Sequence, residues 1–185
     1  MRSTLVFLSL CLATTALADD RAVSVARDQS RITIKVSPNV DKFTASVSNF
    51  KLQLSADGTE DRVNSVRLSF RFDAIRTGKP DRDKAMNEWE NATVFPNVEY
   101  ALTKLAHRDG TAYTAEGLVT LHGVQKLVSF PVTIAMNGPT MIVDGESTID
   151  TREFGLPVIR KFMVLTVDPH LTVIFHIEGT LGPRR

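Results

Sequence analysis

Apolar side chains recur at every second position along most of this chain, which is the period of a β-strand with one buried face. Ile32, Ile34 and Val36 alternate with Thr33 and Lys35, and Phe50, Leu52 and Leu54 alternate with Lys51 and Gln53. Val66, Leu68, Phe70 and Phe72 form a longer row, and Val98, Tyr100 and Leu102 another. Val128, Phe130, Val132 and Ile134 make a further row, as do Leu171, Val173, Phe175 and Ile177. Such rows belong to antiparallel sheets with one face packed and one face wet. The gaps between them carry turn residues: Asp57-Gly58, Asp109-Gly110, Asn137-Gly138-Pro139 and Asp168-Pro169. From Met141 to Ile149 the chain is strand-like, but which residues face inward is ambiguous.

One segment departs from the alternation. Pro80 to Ala92 has no β-branched residue, opens on a proline followed by Asp81 and Asp83, and places Met86 and Trp89 three positions apart. Proline suits the first helical position, acidic residues suit the first turn, and residues at i and i+3 share a face. Phe95-Pro96 then returns the backbone to an extended form. The pattern therefore predicts about eight strands, with one short helix inserted after the fourth. Eight antiparallel strands close either as a two-sheet sandwich or as a barrel wide enough for one ligand. Alternation alone does not separate the two.

The ends and the charge change this picture in two ways. Arg2, the apolar run Leu5 to Leu12 and the small-x-small sequence Ala16-Leu17-Ala18 read as a secretory signal cut after Ala18. Residues 19–185 then form one domain. Cys11, the single cysteine, falls inside the signal, so the mature chain has no disulfide and relies on its core. The chain has 22 Lys+Arg and 21 Asp+Glu, and loss of Arg2 leaves 21 of each. A balanced charge argues against nucleic acid as a partner and against a generally basic membrane-binding surface. Arg184 and Arg185 read as a solvated tail.

Four local motifs occur in order: Arg82-Asp83-Lys84 at the helix start, Phe95-Pro96-Asn97-Val98-Glu99-Tyr100 entering a strand, Leu121-His122-Gly123-Val124-Gln125-Lys126 between two strands, and Glu153-Phe154-Gly155-Leu156. On these the chain resembles the YceI-like family from about Asp28 to Leu181. The resemblance implies an all-β fold, an extended eight-stranded antiparallel lipocalin-like barrel with one short inserted helix. It also implies a periplasmic or secreted setting and the binding of polyisoprenoid or other long-chain amphiphiles. Two places differ from the family's usual pattern: Ala85-Met86 and Trp89-Glu90-Asn91 in the helix, and the apolar stretch Pro157 to Met163 after Phe154-Gly155.

The chain is open to two readings, an enzyme and a binding protein. His122, before Gly123 at a strand end, reads as a turn-stabilising histidine, since a catalytic base needs a nucleophile and an orienting partner that one sequence cannot place beside it. His170 and His176 share the polar parity of one strand, with no third ligand at metal spacing. No catalytic residue, metal or resident cofactor is expected. The aromatics carry more. Nine phenylalanines remain after the signal, most at apolar parity, and a barrel walled by them favours only an apolar guest. Burying about ten methylenes is worth roughly 8 kcal/mol, offset in part by immobilisation. The expected ligand-lining set is Phe43, Phe70, Phe72, Met86, Trp89, Phe95, Tyr100, Leu121, Phe130, Phe154, Phe162 and Phe175. Arg82, Arg152, Arg160 and Lys161 are the candidates for holding a polar head. The helix is expected to lie over one barrel end, with Met86 and Trp89 turned inward against Phe95 and the lipid tail. The function expected is therefore carriage or storage of an isoprenoid or quinone-like lipid. An isomerase or hydrolase acting on a hydrophobic substrate in the same barrel is the alternative. A membrane redox protein and a second copy of the chain stay open as partners.

Overall fold

The computed structural model describes residues 20–39, 42–57, 62–161 and 165–183. The expected signal segment 1–18, Gly58, Phe162 and the Arg184-Arg185 tail lie outside the described residues. The chain begins with β1 (Asp20–Val25) and β2 (Arg31–Val36). It continues through β3 (Phe43–Val47), β4 (Lys51–Asp57), β5 (Arg62–Arg71) and the two-residue β6 (Ile75–Arg76). The helix α1 (Pro80–Glu90) follows. Four long strands come next: β7 (Asn97–Asp109), β8 (Ala112–Leu121), β9 (Val124–Asn137) and β10 (Thr140–Asp150). A small hairpin of β11 (Arg160–Lys161) and β12 (Leu165–Thr166) precedes the last strand, β13 (His170–Leu181).

The strand pieces assemble into eight tracks. β1 and β2 lie end to end along one edge of β13, with Val23 opposite Leu181 and Ile32 opposite Phe175. β3 and β4 follow them as the second track, and β5 and β6 as the third. β7, β8, β9 and β10 add one neighbour each, and β10 pairs with β13 over its whole length. Because β13 bonds to β10 on one side and to β1 and β2 on the other, the ring is closed and antiparallel throughout. This settles barrel against sandwich. Helix α1 follows the third track, not the fourth. Breaks at 26–30, 48–50 and 72–74 split three tracks into pieces, and alternation does not tell whether two pieces in sequence are one track or two.

Meander order puts every second connection at the same end of the barrel. Helix α1, the β8–β9 turn, the segment 151–169 and the β2–β3 connection gather at one end, called the helix end here. The inward parity of β10, ambiguous in the sequence, is that of Met141, Val143, Gly145, Ser147 and Ile149. Three of these five, Met141, Ser147 and Ile149, are buried. Two apolar clusters fill the wall. One, around Ile32, Ile34, Phe72, Ile75, Leu121 and Phe154, lies toward the helix end. The other, around Val23, Leu54, Ala56, Val132, Ile134 and Met141, lies toward the far end.

Candidate functional site: the bore and its helix end

The inward rows do not meet across the barrel. They enclose a cavity of about 1190 Å³ that runs from Phe72 and Trp89 at the helix end to Val63, Leu105 and Ile134 near the other. This exceeds the ~300–1,000 Å³ of ordinary small-molecule pockets. Its wall is aliphatic and aromatic. The charged residues that line it, Lys79, Asp81, Arg82, Glu99, Arg160 and Asp168, all belong to the helix end.

Most of the aromatic and aliphatic residues singled out from the sequence line this cavity: Phe43, Phe70, Phe72, Met86, Trp89, Tyr100, Leu121, Phe130 and Phe175. Two do not. Phe154, at the close of the 3-10 turn Thr151–Phe154, is 1 % exposed and packs into the core cluster toward the helix end. Phe95 lies with its ring centroid 4.3 Å from that of His122 and against Gly123. The left-handed Asn91 (φ 55°) ends the helix, and Phe95 lies outside the cavity lining that Met86 and Trp89 belong to.

The helix presents Arg82, Ala85, Met86 and Trp89 to the cavity, the i, i+3, i+4, i+7 face of one helix. It starts at Pro80, and Asp83 accepts a hydrogen bond from the Thr77 backbone N–H (2.9 Å), which fixes the entry of the chain. Trp89 Nε1 donates to the Pro157 carbonyl at 2.8 Å and so ties the helix to the 157–161 segment. That segment is tied in turn to the β2–β3 connection: Val167 N–H donates to Ile159 O, and Asn39 N–H to Thr166 O.

Of the head-group candidates, Arg82 and Arg160 reach the cavity. Arg82 stacks its guanidinium 3.8 Å above the Phe43 ring and donates Nη2 to Thr77 O, while its buried Nε has no partner. Arg152 does not reach it. Its guanidinium grips Asp150 through Nη2–Oδ2 (2.6 Å) and Nε–Oδ1 (2.9 Å), and this holds the Asp150 carboxyl down at about 2. The Lys161 side chain lies outside what is described.

Glu90 was not singled out from the sequence. The last residue of the helix, it is fully buried, with Oε1 accepting from the His122 backbone N–H (3.1 Å) and Oε2 3.6 Å from His122 Nδ1 without a hydrogen-bond partner. The Glu90 backbone carbonyl stands 2.8 Å from His122 Nδ1. A carbonyl only accepts, so Nδ1 carries the proton. His122 itself takes φ 51° in the β8–β9 turn, as expected of a turn residue, and does not line the cavity. Burial pushes the Glu90 carboxyl up to about 7, against the opposing pull of His122. Tyr100 is also perturbed: its hydroxyl is buried without a partner, and burial pushes it up to about 12. His176 bridges Asp144 and Glu178 on the outer face, and both hydrogen bonds raise it from its usual range. Among the described residues no group of three or more His, Cys, Asp or Glu side chains is placed to hold a metal ion.

A closed eight-stranded antiparallel barrel with an apolar bore and one short helix across its end is a lipocalin-like barrel. The YceI-like domain matches residues 24–179, and the chain belongs to that family. Among solved structures it is similar to Burkholderia cenocepacia BcnA, with a TM-score of 0.76 and 20% identity over 85% of this chain and 100% of that one. A Campylobacter jejuni YCEI protein superposes with a TM-score of 0.70 at 12% identity, over 78% of this chain and 88% of its own. A polyisoprenoid-binding domain from Saccharophagus degradans, implicated in plant cell wall breakdown, gives 0.65 at 11% identity over 90% of this chain and 100% of that domain. None of the curated proteins matches the sequence.

Proposed function

We propose that this protein is an exported carrier or store for a long-chain isoprenoid or similar amphiphile, with the tail in the bore and the head at the helix end. The observation that carries this is the lining: a cavity of about 1190 Å³ whose charged groups are confined to one end. From Val98 to Leu105, β7 covers about 23 Å along the strand, or ~18 Å along the axis of a barrel whose strands tilt by ~40°. An extended chain advances about 1.2 Å per bond, so the bore takes roughly 15 bonds of tail. At ~0.8 kcal/mol per methylene the gross gain is about 12 kcal/mol, enough to hold the ligand after the costs of immobilisation. The polyisoprenoid-binding relative in Saccharophagus degradans supports the same ligand class. Arg82 and Arg160 are the residues proposed to meet the head. The signal-like start of the sequence supports an envelope or secreted setting.

The test is native mass spectrometry and solvent extraction of protein purified from cell envelopes without denaturant. The expected result is a co-purifying lipid with a long unbranched or isoprenoid tail. Preparations that yield no such lipid, and that also fail to take up added all-trans prenols, overturn the proposal.

A further inference from the structure

Two rings press against the inner wall, each over a glycine. An ideal Cβ on Gly117 comes within 2.3 Å of Tyr100 Cε2 and 2.6 Å of its hydroxyl oxygen. One on Gly145 comes within 2.3 Å of Phe175 Cζ. Real Cβ atoms do not approach so closely, so each ring occupies the space that any other residue would fill. Gly145 is directly opposite Phe175 in the β10–β13 ladder, and Gly117 is diagonal to Tyr100, two places along from its partner Val119. Both glycines have inward parity: Ala115 and Val119 flank Gly117 at spacing two and line the cavity, as do Val143 and Ser147 around Gly145. A third ring, Phe130, lies 5.7 Å from Tyr100 and 5.9 Å from Phe175, so an aromatic row spans β7, β9 and β13 partway down the barrel.

The cavity continues past this row, where Val63, Leu105, Val132 and Ile134 line it. The row thus lies partway along the bore, with cavity on both sides of it. A ring displaced from the wall would narrow the bore at this level, and Gly117 and Gly145 provide the space that holds the two rings back. We propose that these two glycine–aromatic pairs set the length of apolar chain the barrel accepts. They keep the bore open at this level, so that the tail reaches the far half. This inference rests on the reading of the bore as a lipid site and names what selects among lipids there. Covering a strand glycine with an aromatic ring also stabilises a sheet, but that alone would not change which chain lengths bind.

Gly117→Val and Gly145→Val each place side-chain atoms where a ring now lies. The wall behind is backbone, so the ring moves into the bore. The tail then stops near Tyr100 instead of Leu105, a loss of about 17 Å of strand, or roughly ten bonds of chain. The experiment measures uptake of a graded series of all-trans prenols, from the one-unit alcohol and geraniol upward, by native mass spectrometry on wild type, the two variants and Gly117→Val/Tyr100→Leu. The expected result is that wild type takes long prenols, that each single variant takes only those shorter by two or more isoprene units, and that Tyr100→Leu restores the long ones. Should a single variant fold too poorly to measure, the double variant and Gly117→Ala serve alone, with Gly117→Ala expected to shift the cutoff in the same direction. An unchanged cutoff in every folded variant overturns the ruler while leaving the lipid reading intact. Wild type that takes up no prenol of any length overturns both.

Discussion

Glu90→Gln isolates the buried carboxyl at the end of the helix. An ordinary glutamate ionises near 4.5, and burial holds Glu90 protonated up to about 7, against the opposing attraction of His122 3.6 Å away. The folded-state value is raised. Between 4.5 and 7 the unfolded chain has therefore lost a proton that the folded chain keeps. Stability is complete below the lower value and falls as pH rises through the upper one. A displacement from 4.5 to about 7, at about 1.4 kcal/mol per tenfold, is on the order of 3 kcal/mol. Glutamine keeps the acceptor that His122 N–H uses at 3.1 Å and removes the titration. Its amide N–H₂ stands where Oε2 has no partner, which costs about 1–3 kcal/mol at every pH. The two curves therefore differ by a constant offset plus a slope, and the slope carries the argument. Urea midpoints followed by Trp89 fluorescence from about pH 4 to about pH 8 measure both. Wild type is expected to lose on the order of 3 kcal/mol relative to the variant across that window. Parallel curves would show that Glu90 ionises normally in the folded protein and would refute the reasoning.

Two further outcomes follow from the placement of single rings. Phe154→Ala is expected to cost about 3–5 kcal/mol, as for other buried aromatics, and to leave lipid uptake by the folded fraction unchanged, since the ring is in the wall and not in the bore. Thermal melting beside prenol uptake checks it, and loss of uptake in folded protein would place Phe154 at the site. Trp89→Ala removes a ring that lines the helix end and the hydrogen bond that ties the helix to Pro157. A bound prenol is expected to dissociate more than tenfold faster, with a smaller change in melting temperature. A large stability loss with unchanged retention would make Trp89 a core residue only.

The strand period was readable because a closed barrel has one apolar and one wet face along every track. The rows around Ile34, Phe70, Tyr100, Phe130 and Phe175 all point inward in the structure. The helix limits were readable from Pro80 and from the lack of β-branched residues, and its cavity face from Met86 and Trp89. What alternation could not supply was anything that depends on two distant segments. Phe154 and Phe95 have the same composition as the lining rings, yet the first packs into the core at the close of a 3-10 turn and the second lies against His122. Arg152 resembled Arg82 until Asp150, two residues before it, was seen to hold it. Glu90 gave no signal, since one carboxylate among Glu88, Trp89 and Asn91 reads as solvated helix surface. Gly117 and Gly145 gave no signal, because the rings that need their space sit on neighbouring strands.

The seam of the barrel has a bearing on how the protein comes to be made. Val23 bonds opposite Leu181, so the ring closes only when segments from the two extremes of the fold find each other. Contacts of such long sequence separation form slowly, because the entropy of loop closure is lost before the contact returns anything. A meander formed before this seam closed would have a free edge and an apolar inner face turned to solvent. Free edges and bare apolar faces of this kind are where chains of different molecules pair with one another. A ligand that fills the trough binds the closed form better than the open one and draws the equilibrium toward closure by mass action. The cargo would thus be a folding aid as well as a passenger, and yield of monomer on refolding should rise with prenol in the buffer.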